Sequence, residues 1–493
     1  MKSAKYTTLI LLLLVSLTAA ADDGIHLRNC RRGVVLTSTR SLRAESVSHH
    51  AGGDFYRGDR RQLVVLASFR DQSFQDDKVA TFIKWNNIFN AENYQEDSFV
   101  GSVHDYFYEQ SSGNFNLTFD VVQIQLPDSL KKYRSTQNHD EYSQYMVDDI
   151  VDSLQTLDID WSQYDWNGDG YVNQLLIVYA GKGMNADGGS NTIWPHQWWL
   201  SMHLKDPDQP NKGYRGYRTV TSGDKDYIVD CYCCVQEVVN TVNTKSTFGT
   251  ICHEYSHCFG FPDFYNGSTK YVGAWDLMES GSYNGAGYCP PNYSAHERWL
   301  MGWLDVTELR EDTTVSTMQS LSEGYQEAYL LRNDGHSDEY YIVENRQKVG
   351  WDSELPGSGL VVFHVDFDDE VWSGVTEMPN SSKRKRYHVF PANNKTSTYN
   401  SDGWPYPYQG NNQLTNDSSP AATLNNANID GTKLMSKPIT NMAVNGALAS
   451  FDFSVGKTGM KEVTVGTDQL LYRFGMVDIV RDAKGTIRKV IRK

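Results

Sequence analysis

The chain has 493 residues, enough for a large buried core and, at roughly 150 residues each, for about two to four domains. Its formal net charge of −16 argues against nucleic acid and against an anionic membrane surface as partners. Aromatic residues make up 12% of the chain, which favours a globular, β-rich extracellular protein over a disordered one.

In chain order, residues 1–21 read as a secretory signal peptide. Lys2 and Lys5 form the basic start, LILLLLVSL the apolar stretch, and Ala19-Ala20-Ala21 a small-residue cleavage site. The apolar stretch is short for a bilayer span of about 20 residues. No other segment is long and apolar enough, so no stable membrane insertion is expected. The protein is expected to be secreted and extracellular, with cell-surface association left open.

Residues 22–58 are polar and without period, and read as a flexible leader or short pro-segment. Cys30 stands alone there. The ordinary reading is an incidental thiol; the sharper one is a thiolate that caps a metal and holds a precursor silent.

Gln62 to Phe69 is a β-branched, apolar run and predicts a buried strand. Helices are expected over 77–95 and 102–110, a strand over 115–126, and a helix over 139–158 with Met146, Ile150, Val151 and Leu154 on one side. A second buried strand is expected over 173–180, and further helices over 244–259 and 293–303. From about 305, short alternating runs separated by Gly, Asn, Ser and Pro predict β structure, with a long loop system over 391–440. The segment 457–493 is basic and reads as a tail or sorting element. Six cysteines fall between 231 and 289, and in an exported chain six allow fifteen disulfide pairings.

Two stretches carry metal chemistry. The first is His253-Glu254-Tyr255-Ser256-His257-Cys258-Phe259-Gly260-Phe261-Pro262-Asp263. Histidines at i and i+4 lie on one helix face, so His253 and His257 can hold one Zn²⁺ between them. Glu254 is placed to act as general base towards a zinc-activated water. Gly260 can end the helix in a left-handed conformation. The chain can then return Asp263 as a third ligand, with Glu279 as the alternative. The second stretch, Asp165 to Asn173, puts Asp165, Asn167, Asp169 and Asn173 at positions 1, 3, 5 and 9 of a Ca²⁺-type loop, with Gly170 at position 6. Position 12 is Leu176 rather than Glu, so this is not a full EF-hand; the loop is a candidate Ca²⁺ site.

HEYSHCFGFPDFY, GAWDLMESGSYNG and PPNYSAHERWLMGWL together resemble the immune inhibitor A-type secreted bacterial zinc metallopeptidases, over about residues 62–456. The resemblance implies an α+β architecture. A metzincin-like zincin catalytic domain (twisted sheet, backing helices, active-site helix) over 59–304 would precede a mostly β region over 305–456. It implies His253 and His257 as zinc ligands, Glu254 as catalytic base, and Met278 as the methionine turn beneath the metal. Protein or peptide substrates follow, cut by a zinc-dependent endopeptidase; oligomeric state is left open. His196, Tyr288 and Tyr293 are the candidates to steady the oxyanion. The competing reading is an extracellular protein that grips glycan or protein through its β region, with an inactive zincin as scaffold.

Overall fold

The computed structural model describes residues 56–134, 142–186, 188–202, 216–239, 244–372 and 378–455, and the backbone of three strands between 469 and 491. The signal peptide, nearly all of the 22–58 leader with Cys30, and much of the 457–493 tail lie outside the described residues.

Eight strands precede residue 240: β1 (Gly58–Ser68), β2 (Phe115–Gln125), β3 (Tyr171–Val172), β4 (Leu175–Lys182), β5 (His196–Trp199), β6 (Arg218–Ser222), β7 (Lys225–Val229) and β8 (Cys231–Val238). Five of them form one sheet in the order β2-β1-β4-β8-β5. Neighbours run parallel except β5, which is antiparallel to β8. The runs Leu63 to Ala67 and Leu175 to Ala180 are buried without alternation, as parallel strands covered on both faces require. Helices Lys78–Asn90 and Val103–Gln110 pack on β2, and helix Phe248–Cys258 packs on β8. The helix starting at Val103 begins at a capping box, in which the Ser102 side chain accepts from the Asp105 amide and Asp105 accepts from the Ser102 amide.

Beyond 305 come β9 (Thr307–Glu308), β10 (Thr313–Met318), β11 (Ala328–Asn333), β12 (His336–Arg346), β13 (Gly359–Asp366), β14 (Tyr387–Val389), β15 (Ile439–Asn445) and β16 (Leu448–Phe453). They form a five-stranded sheet, β14-β13-β12-β11-β9, and a three-stranded one, β10-β16-β15. The class is α+β with mixed sheets.

Two features differ from the sequence-based picture. Cys231–Val238 is a central strand, where its cysteines suggested a disulfide cluster. All six described cysteines are free and buried, and a free thiol packs as a small apolar group. One core also runs from Tyr56 to Trp404, so packing crosses the expected 304/305 boundary without a break.

A buried ionic cluster ties the two sides of that boundary together. Arg346 on β12 donates through Nε to Asp352 Oδ2 at 2.7 Å and through Nη1 to Glu344 Oε1 at 2.9 Å. Its Nη2 also donates to the Asn292 carbonyl at 3.1 Å. Glu344 in turn accepts from the Ala295 amide at 2.6 Å, at the start of helix Ala295–Leu300. None of the three charged side chains reaches solvent. Removing the cation would strand two buried carboxylates, so Arg346→Met should lower unfolding stability by about 3–5 kcal/mol. Urea denaturation of the variant checks this; a loss under 1 kcal/mol would mean that the cluster is dispensable.

Candidate metal centre and active site

Every residue of helix Phe248–Cys258 is buried. Gly249 permits the depth: a Cβ there would lie 1.9 Å from the Ser282 carbonyl oxygen. The helix ends in a Schellman motif. Gly260, at φ 95°, donates to the His257 carbonyl at 2.9 Å, and Phe261 donates to the Ser256 carbonyl at 3.3 Å.

That turn brings Asp263 back over the helix. Asp263 Oδ1 lies 3.2 Å from His253 Nε2 and 3.3 Å from His257 Nε2. A tetrahedral ion with ligands at about 2.0–2.1 Å keeps them roughly 3.3–3.4 Å apart, so this spacing is that of an ion's ligand shell. Each imidazole donates from Nδ1 to a carbonyl, His253 to Leu277 at 2.8 Å and His257 to Phe261 at 2.7 Å. A carbonyl only accepts, so the bond fixes the proton on Nδ1 and leaves Nε2 to face inward. His257 Nε2 is buried and makes no hydrogen bond, which suits a metal-ligating lone pair.

Electrostatics point the same way. Burial opposes charge on His253, yet the hydrogen bond from Asp263 and the charges of Glu254 and Asp263 outweigh it and push the imidazole up to about 9. Against the same cost of burial, the two imidazoles hold Asp263 well below the usual carboxylate range. The cluster favours positive charge at its centre, where a divalent cation would replace the proton.

Glu254 places a carboxylate oxygen within 4.8 Å of both ligating nitrogens. Its Oε2 is buried without a hydrogen bond, so it is available to a water or a substrate proton. His253 and Glu254 keep 7% and 6% exposure, whereas His257 and Asp263 keep none. Glu279, the alternative ligand, is committed elsewhere. Its Oε2 accepts from the amides of Tyr271 at 2.7 Å and Val272 at 3.0 Å, and its Oε1 accepts from Gly273. Met278 is fully buried in the turn under the helix, and its carbonyl accepts from the Phe264 amide at 3.0 Å.

The three proposed oxyanion donors are engaged elsewhere. His196 is buried on β5 between the Trp194 carbonyl and the Tyr232 hydroxyl. Tyr293 is buried against Ser256, and Tyr288 packs on Phe99. Sequence reasoning missed Tyr283. Its ring is 45% exposed while its hydroxyl end is enclosed. That enclosure raises the phenol, and the charges of Glu254 and Asp263 raise it further. Its place five residues after Met278 was the one available signal.

The Asp165–Asn173 loop is closed by its own main chain. Asp165 accepts from the Asp169 and Gly170 amides at 3.0 Å each, Asp169 from the Tyr171 amide at 2.9 Å, and Asn173 from the Trp166 amide at 2.6 Å. Asn167 donates to Asp169, and Lys225 Nζ stands 3.6 Å from Asp165 Oδ2 as a counter-charge.

The model of the immune inhibitor A peptidase M6 catalytic domain matches residues 57–303, half of the chain. The chain belongs to this peptidase family. It is 26% identical over 308 residues to Immune inhibitor A of Bacillus thuringiensis subsp. alesti, covering 52% of this chain and 42% of that protein. It is 28% identical over 150 residues to Pre-pro-metalloprotease PrtV of Vibrio cholerae serotype O1, covering 27% of this chain and 14% of that protein. The chain thus spans less than half the length of the curated relatives it matches. The family match ends at 303, one residue short of the boundary expected from sequence, although the core continues past it.

The geometry separates the two candidate third ligands. Asp263→Ala should cut the zinc retained after dialysis by at least about tenfold, because one of three ligands goes. Glu279→Gln should retain it. Metal content by mass spectrometry decides between them, and the reverse pattern would make Glu279 the ligand.

Proposed function

We propose that the protein is a secreted zinc-dependent endopeptidase that hydrolyses peptide bonds of extracellular proteins or peptides. The observation that carries this reading is the convergence of His253 Nε2, His257 Nε2 and Asp263 Oδ1 beside the unpaired Glu254 Oε2. The printed names of the relatives, a peptidase family and a metalloprotease, support it. Among the described residues no helix is long and apolar enough to cross a membrane. Export is proposed from the residue 1–21 pattern.

His253, His257 and Asp263 would hold the ion. When bound, zinc supplies Lewis acidity, lowering the pKa of a water and polarising the scissile carbonyl. The chain's own groups do the rest. The Leu277 and Phe261 carbonyls keep both imidazoles oriented with Nε2 inward. Glu254 Oε2 accepts the proton of the attacking water and passes it to the leaving amine. Tyr283 donates its hydroxyl to the oxygen on which negative charge develops.

Glu254→Gln removes the base but no ligand. It should lower kcat/KM by about 10²–10⁴-fold with zinc content unchanged. Cleavage of a peptide library, read by mass spectrometry, gives the rate. A fully active Glu254→Gln would end this mechanism.

A further inference from the structure

Tyr283 can serve as an oxyanion donor only if its proton is directed into the site rather than spent on a neighbour. A phenol both donates and accepts, so its partner decides which way the proton points. The partner here is Asn185, in the turn Met184–Ala186 between β4 and β5, whose side chain hydrogen-bonds the Tyr283 hydroxyl. Asn185 Oδ1 is buried and makes no hydrogen bond, which leaves Nδ2 as the atom that meets Tyr283. An amide N–H can only donate. The bond also favours the phenolate, as a donor does and an acceptor would not.

The Asn185 side chain is held in place by its surroundings. A Cβ on Gly183 would lie 2.7 Å from Asn185 Oδ1 and 2.8 Å from Gln236 Oε1. Both oxygens therefore crowd a glycine that has no side chain to displace them. Gln236 is itself fully buried on β8, in the main sheet. Asn185 is thus packed against the sheet on one side and bonded to the tyrosine on the other.

We propose that Asn185 is a positioning residue: by donating Nδ2–H to the Tyr283 oxygen, it leaves the tyrosine proton free to be given to the substrate's developing oxyanion. This rests on the peptidase reading above, with Tyr283 as the donor. No bond to Asn185 forms or breaks during the reaction. It fixes the direction of one proton and makes the phenol a better donor, as cooperative hydrogen bonds do.

Asn185→Asp tests this, because it exchanges the N–H donor for an acceptor at nearly constant volume. The tyrosine proton would then be drawn to the new carboxylate. We expect kcat to fall at least about tenfold with KM within about twofold, since the interaction is made in the transition state. Tyr283→Phe alone should cost about 10²–10³-fold in kcat, the usual loss of one oxyanion donor. In the Tyr283→Phe background, Asn185→Asp should change kcat by less than about twofold, because no hydroxyl is left to position. Asn185→Leu serves as a second variant if the aspartate disturbs folding, with melting temperature and zinc content matched to wild type. Wild-type kcat in both Asn185 variants, or the same loss with and without the Tyr283 hydroxyl, overturns the inference. A wild-type protein that cleaves no peptide would instead end the peptidase reading itself.

Discussion

The reversal of the chain at Gly260 is the constraint on which the centre depends. Two histidines one helical turn apart supply two ligand atoms from one face and no more. A third ligand close in sequence must come from chain that leaves the helix and returns within a few residues. At φ 95° a side chain would be strained, and glycine is not. The two hydrogen bonds of the turn satisfy helix-end carbonyls. The same turn presents the Phe261 carbonyl to His257 Nδ1 and swings Asp263 against both imidazoles. One local motif thus ends the helix, orients one ligand and delivers another.

The second support comes from further along the chain. The segment 276–282 meets the motif helix three times: the Leu277 carbonyl holds His253, the Met278 carbonyl holds Phe264, and the Ser282 carbonyl lies against Gly249. It is braced from below. Asp276 accepts from the Met278 amide at 2.8 Å and from the Tyr387 hydroxyl at 3.1 Å. Tyr387 belongs to β14, so the antiparallel sheet beyond 305 props the turn under the site. That brace, together with the Arg346 cluster, is the physical reason that one core spans both halves.

What could be read from the sequence follows from how local each interaction is. His253, Glu254 and His257 were legible because helix geometry alone puts them together, and Gly260 because a helix end needs a left-handed residue. Asp263 and Glu279 could not be separated by spacing. The difference lies in the amides of residues 271–273, which take both Glu279 oxygens. The strand Cys231–Val238 was missed because its thiols suggested disulfide chemistry, whereas buried between neighbouring strands they act as small apolar side chains. Asn185 and Gln236 were invisible for another reason: they lie on a turn and a strand that meet only after the sheet has formed. Nothing in the local pattern around Tyr283 tells it from Tyr288 or Tyr293. Burial and partners make the distinction.

The central claim is that one ion sits between His253, His257 and Asp263. Anomalous diffraction from crystals of the zinc-loaded protein, with data on both sides of the zinc edge, tests it most directly. The account predicts a single strong peak at about 2.0–2.2 Å from His253 Nε2, His257 Nε2 and an Asp263 carboxylate oxygen. A peak coordinated by Glu279 or by the cysteines of β8, or no peak at the helix in zinc-saturated crystals, would contradict it.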